Sequence, residues 1–219
     1  MQLPYKINKT QEIITIGLLA LAAVLSFYFY QNFPGQVATH WNFAGEADAY
    51  SGRAFAAFFF PALAIGIYLL MTFLPLVDPK RERYAEFGKA YNVLRLSITI
   101  LMIGLYGIMS WNGLGHEAPI NIVVPFAIGL LFIIIGNFLP KVKRNWFVGI
   151  RTPWTLSRED IWNKTHRLGG KMFVFAGLLM ILMVFAPQAL YPWMFGFVIA
   201  LLVFGTIGYS WFLWRKIKK

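Results

Sequence analysis

Six uninterrupted apolar runs constrain this chain more than any other feature. Residues 13–30, 54–77, 96–114, 119–139, 172–190 and 192–214 contain no Asp, Glu, Lys or Arg. At about 1.5 Å of rise per residue, a helix of about 20 residues crosses the ~30 Å hydrocarbon layer. Isolated strands would leave their backbone unpaired in lipid, so helix is the only workable state. The expected fold is therefore all-α: a polytopic membrane protein with six transmembrane helices. Composition agrees, because only 13% of the residues are charged, against roughly 25% in soluble domains. The first run is preceded by Lys6 and Lys9, as a signal peptide would be. It is long for such a segment and no small-x-small cleavage site follows at 31–34, so it reads as an uncleaved span.

The basic residues orient these spans. Six spans put the N-terminus, the 78–95 loop, the 140–171 loop and the tail on one side, with 19 of the 20 Lys and Arg; Arg53 alone lies opposite. The positive-inside rule makes the basic side cytoplasmic, so both ends are inside. The net charge of +11 then reflects topology, with the lipid bilayer as partner and no direct nucleic-acid binding. The absence of cysteine excludes a disulfide framework and a cysteine zinc site. Trp41, Trp111, Tyr191, Trp193, Trp211 and Trp214 fall near span ends, as headgroup anchors do. Ala62 with Gly66, and Gly196 with Ala200, offer small surfaces for close helix contact. The chain divides into a helical hairpin at 1–95 and a four-helix region at 96–219.

Three segments outside the runs carry polar information. In the outer loop, 37–43 reads as extended and 44–52 as turns. His40, Glu46 and Asp48 are suitable metal ligands, but their spacing matches no established site, and an ordered turn is the plainer reading. In the 78–95 loop, Tyr84, Phe87, Tyr91 and Leu94 recur every three or four residues. That spacing predicts a helix lying on the headgroup boundary or extending the third span inward. In the 140–171 loop, Pro153 extends Thr152. Ser157 to Asp160 reads as a capping-box variant that starts a short helix, with Trp162 and His166 one turn apart. Gly169 and Gly170 are expected to end that helix before the fifth span. Arg151, Lys164, His166 and Arg167 admit two readings: an anion or phosphate site, or contacts to lipid headgroups and span-end carbonyls. A shorter echo links Phe73-Leu-Pro-Leu-Val77 with Phe138-Leu-Pro-Lys-Val142 at the ends of the second and fourth spans.

No nucleophile–base pairing, phosphate-cradling loop or metal motif stands out, so neither catalysis, cofactor nor metal is expected. Charge-free spans argue against a coupled pump. They leave open a transporter or channel for a neutral or lipid-like substrate, or a purely structural membrane subunit.

The stretch from Asn137 to Leu156 includes Pro140, Lys141, Asn145, Gly149, Arg151, Thr152, Pro153 and Trp154. With the following Trp162, Lys164, Thr165, His166 and Arg167, it resembles the signature of the SdpI family of bacterial membrane proteins. The outer His40-Trp41-Asn42-Phe-Ala-Gly45 with Asp48 is similar to the domain at that family's N-terminal end, so the resemblance covers essentially the whole chain. It implies a multi-pass protein of the bacterial cytoplasmic membrane that confers immunity to a secreted peptide toxin able to collapse the membrane potential. It also implies a signalling role, in which a small DNA-binding repressor is drawn to the membrane. By that resemblance the outer residues face toxin, the 140–171 loop faces the repressor, and no catalytic residue carries over.

Overall fold

A computed structural model describes residues 2–217. Among these residues, six helices are long and apolar enough to cross a membrane: α1 (Lys9–Asn32), α2 (Arg53–Phe73), α3 (Tyr84–Gly113), α4 (Ile120–Phe138), α6 (Glu159–Met183) and α7 (Tyr191–Ile217). A short helix α5 (Pro153–Ser157) and a two-stranded antiparallel sheet, β1 (Gln36–Trp41) and β2 (Ala47–Gly52), complete the elements used below. The all-α multi-pass architecture is thus as the apolar runs imply. Side chains that a soluble protein would bury point outward instead, including Phe185 at 81% and Phe204 at 74% exposure. Such a surface is matched only by lipid, which is as apolar as the side chains themselves.

Two groups of three helices form the bundle. The first three spans pack on one another, α6 packs between α4 and α7, and α3 meets α4 between the groups. The 95/96 boundary lies inside α3, which runs without interruption apart from a kink at Phe87 (φ −125°, ψ 19°).

The tightest helix pair is α4 with α6, and glycines set its spacing. A Cβ on Gly129 would lie 2.7 Å from the Gly177 carbonyl oxygen, and one on Gly136 would lie 2.5 Å from that of Gly170. Each pair is seven residues from the next on both helices, so two turns of backbone touch in register. Gly169 and Gly170 therefore do not end a helix, contrary to expectation. α6 runs through them because the missing side chain of Gly170 admits α4 and that of Gly169 admits Ile150. The small pairs chosen from sequence do not serve this role at their glycines, since Gly66 and Gly196 have open space around them.

Other local expectations shift for similar reasons. Residues 47–52 pair with β1 instead of forming turns. The aromatic stripe of α3 extends the third span inward, but Tyr84, Phe87, Tyr91 and Leu94 are buried beneath the cytoplasmic loops and do not lie on headgroups. Arg158, not Ser157, is the N-cap of α6 and makes no side-chain cap. The capping box lies five residues earlier: Thr155 donates its N–H to Thr152 Oγ1 at 3.1 Å, and Thr152 donates its N–H to Thr155 Oγ1 at 2.9 Å, with Pro153 at the first helical position. The short echo is structural: Phe73 and Phe138 have nearly identical backbone angles (φ −99° and −100°), each leading into one 3-10 turn.

Candidate functional site

The outer site is built on the β1–β2 hairpin. Asn42 organises its tip: its side-chain oxygen accepts the N–H groups of Ala44 at 2.9 Å and Glu46 at 3.1 Å, while its amide nitrogen donates to the Glu46 carboxylate at 3.0 Å. Gly45 adopts φ +82°, which side chains rarely tolerate, and a Cβ there would sit 3.2 Å from Asn121 on α4. The tip thus rests against the outer start of α4. His40 Nδ1 and Asp48 Oδ1 are 2.5 Å apart across the strands, with side chains 69% and 43% exposed. The sequence-predicted outer residues His40, Trp41, Asn42, Gly45 and Asp48 therefore come together on one small ribbon. No group of three or more metal-ligating side chains gathers among the described residues.

Beneath this ribbon lie two apolar cavities of about 400 and 440 Å³, both in the size range of ligand pockets. One reaches between α4, α6 and α7 to Met180, Met183 and Phe195; the other reaches between α2, α3 and α4 to Phe60, Met102 and Met109. His40, Trp41, Ile120 and Val124 line both, so the hairpin roofs a divided space. Methionines suit a lining that must fit varied apolar shapes, because their unbranched chains repack readily. Trp41 and Tyr191, expected as headgroup anchors, turn inward to line this space. Tyr191 is only 2% exposed, and a cavity wall gives its ring an apolar partner.

The cytoplasmic loop is a different kind of object. Asn145 is fully buried. Its oxygen accepts from the N–H groups of Phe147 at 2.8 Å and Val148 at 2.7 Å and from Tyr84, and its nitrogen donates to the carbonyls of Lys143 and Val148. His166 is also fully buried and stacks on Trp162 with ring centres 4.0 Å apart. The Ile150 N–H donates to His166 Nε2 at 3.0 Å, so that nitrogen must be bare; Nδ1 then donates to the Trp162 carbonyl at 2.9 Å. These two bonds hold the imidazole neutral in one tautomer. Gly149, at φ +113°, is required beside it, because a Cβ would come within 2.4 Å of Nε2. Trp162 Nε1 donates to the Val142 carbonyl, and Thr152 Oγ1 bonds Ser210 on α7.

The loop's predicted site residues therefore separate into two sets. Asn145, Thr152, Trp162, Thr165 and His166 are buried inside the fold. Asn137, Pro140, Lys141, Gly149, Arg151, Pro153, Lys164 and Arg167 are exposed, with Trp154 half-buried beside Arg151. The proposed anion cluster is not assembled, since its histidine faces inward and its three bases face solvent or lipid.

Sequence reading missed two polar centres. Asp78, 3% exposed, accepts from Tyr84 at 3.1 Å and from the N–H groups of Trp146 and Lys80, tying the first cytoplasmic loop to the second. Burial pushes the neighbouring Lys80 amine below its usual range. More consequential is an ion pair among the first three spans. Arg95, 3% exposed, meets Glu12 at 3.3 Å and donates to Thr72 Oγ1 at 2.6 Å, while Tyr68 donates to Glu12. The apolar runs are charge-free as read, but the helices are not: Glu12 and Arg95 each lie just before a run begins, and α1 and α3 extend past them. A hydropathy window loses such residues at its edge.

An α-helical multi-pass membrane protein with an outer polar ribbon over apolar cavities and a buried cytoplasmic knot is the class defined here. Its two ends match two family models: that of a domain of unknown function, DUF1648, over residues 17–65, and that of the SdpI/YfhL protein family over residues 141–210. The chain is 26% identical over 208 residues to the immunity protein SdpI of Bacillus subtilis (strain 168), covering 94% of this chain and 97% of that one. No solved structure matches. The C-terminal third of the chain thus matches the SdpI/YfhL family model, the whole chain is similar to that immunity protein, and the chain is a multi-pass protein of a bacterial membrane.

Proposed function

We propose that this protein is a membrane immunity protein that captures a secreted, membrane-active peptide toxin at its outer face. The observation that carries this reading is the pair of apolar cavities under the hairpin, with His40 and Trp41 shared between them. A peptide that damages bilayers needs an apolar segment, and such a segment finds here an apolar, methionine-lined receptacle with polar groups at its mouth. On the inner face, exposed Arg151 and half-buried Trp154 are the residue types that most often dominate interfaces, and they present a surface for a small cytoplasmic repressor.

A carrier of a lipid-like substrate would use the same cavities. The inner half of the molecule favours a receptor: Tyr5, Tyr84, Phe87, Tyr91 and Trp162 close the bundle with one buried aromatic cluster, and a conduit has no room there. The deciding experiment exposes cells to the toxin and follows membrane potential with a voltage-sensitive dye. The H40A/N42A/D48A variant should reach wild-type levels in the membrane yet lose protection. Full protection by that variant would reject the outer face as the toxin site.

A further inference from the structure

We propose that the groove between the cytoplasmic halves of α4 and α6 binds one anionic phospholipid of the inner leaflet, with its phosphate held by Arg167 and Lys171. The groove has a volume of about 410 Å³; Gly136, Asn137 and Pro140 form one wall, and Arg167, Lys171 and Phe175 run along the other. Its floor is shallow backbone, because Gly136 and Gly170 are packed against each other and carry no side chains.

Three observations fix the ligand class. First, Arg167 and Lys171 are one turn apart, both exposed, and neither has a carboxylate partner among the described residues. Arg83, Arg95, Lys143 and Arg158 each have one. Two adjacent unpaired cations at the basic membrane face complement a phosphate.

Second, the groove becomes apolar in the direction a lipid does. Below the cations, Val174, Phe175 and Leu178 line it, and Phe175 and Leu178 are about half exposed.

Third, the depth fits. The α4 helix has 19 residues, or about 28 Å, and Gly129 is its middle residue. Gly129 touches Gly177, so Leu178 lies near mid-bilayer and Arg167 about 16 Å away, close to the thickness of one leaflet's hydrocarbon. A headgroup at Arg167 and Lys171 therefore places its acyl chain along the groove and ends it near the bilayer centre. A free phosphate would satisfy only the top of this site.

The test uses the purified full chain, equilibrated with mixed phosphatidylglycerol and phosphatidylcholine and read by native mass spectrometry. The wild type should retain one phosphatidylglycerol in preference to phosphatidylcholine. R167Q/K171Q should lower that preference by roughly thirtyfold, given the attraction of each basic residue for an anionic surface. R215Q/K216Q, which removes equal charge from the same membrane face, should leave it unchanged. An undiminished preference in R167Q/K171Q, an equal fall in both variants, or displacement of the lipid by millimolar inorganic phosphate would each overturn the site. If thermal unfolding shows the double variant misfolded, the single variants decide: each should show a partial fall, and no change in either overturns the proposal.

Discussion

The outer ribbon and the cytoplasmic knot are both polar, but their side chains differ in what they have left to offer. At the outer ribbon, His40 and Asp48 pair with each other in solvent at the mouth of the apolar cavities. At the inner knot, Asn145 uses both its oxygen and its nitrogen, His166 uses both ring nitrogens, and Asp78 accepts three donors. A buried polar group whose capacity is spent on its own chain has none for a partner. The outer residues thus keep polar capacity for a partner, as the proposed function requires, while the most distinctive residues of the inner motif are placed to hold. Any inward recognition falls to the exposed subset that includes Arg151, Lys164 and Arg167.

Substitutions should separate the two regions by size of effect on stability. The largest loss is expected for Arg95→Ala, which leaves Glu12 without its cation among three helices. Breaking such a pair costs about 3–5 kcal/mol, read as a fall in unfolding midpoint in detergent. A midpoint near wild type would mean that water already solvates the pair. Next comes Asn145→Ala, which leaves the partly buried N–H groups of Phe147 and Val148 without their acceptor and should cost about 3 kcal/mol. If it abolishes the proposed toxin protection at unchanged stability, the knot has a recognition role after all.

Gly177→Ala should cost about 1–3 kcal/mol by forcing α4 and α6 apart, whereas Gly66→Ala, with open space around it, should change little. Equal effects would remove the glycine seam as the cause. A smaller effect concerns alkaline pH. Burial pushes the Tyr5 hydroxyl up to about 12 from 10.0. A raised folded value means its contribution is complete below pH 10 and is lost as pH rises towards about 12. Tyr5→Phe should therefore lose stability less steeply than wild type across that window, as followed by thermal unfolding at stepped pH. The smallest stability change is expected for His40→Ala. The pair is solvent-exposed, and such pairs contribute at most about 1 kcal/mol. Its consequence should appear in toxin protection instead, and a large loss of midpoint would erase the contrast between the two regions.

The chain's own pattern settled the coarse architecture. Six charge-free runs can only be helices in lipid, because no other single segment satisfies its backbone there, and the basic residues orient them. The family signature was also legible, since its glycines, prolines and threonines are needed at fixed places in one short loop: Gly149 under His166, and Pro153 behind the Thr152 cap. What each polar residue faces was decided only by packing. Gly170 reads locally as a helix breaker, and becomes a helix seam because Gly136 arrives opposite it from 34 positions away in the chain. Glu12 and Arg95 read as flanking charges, and become a buried pair because α1 and α3 meet. His166 reads as a basic surface residue, and becomes a neutral internal ligand of the Ile150 N–H. Periodicity reports which side of a helix is apolar, but the identity of the neighbour across the gap arises only when distant segments are brought into contact.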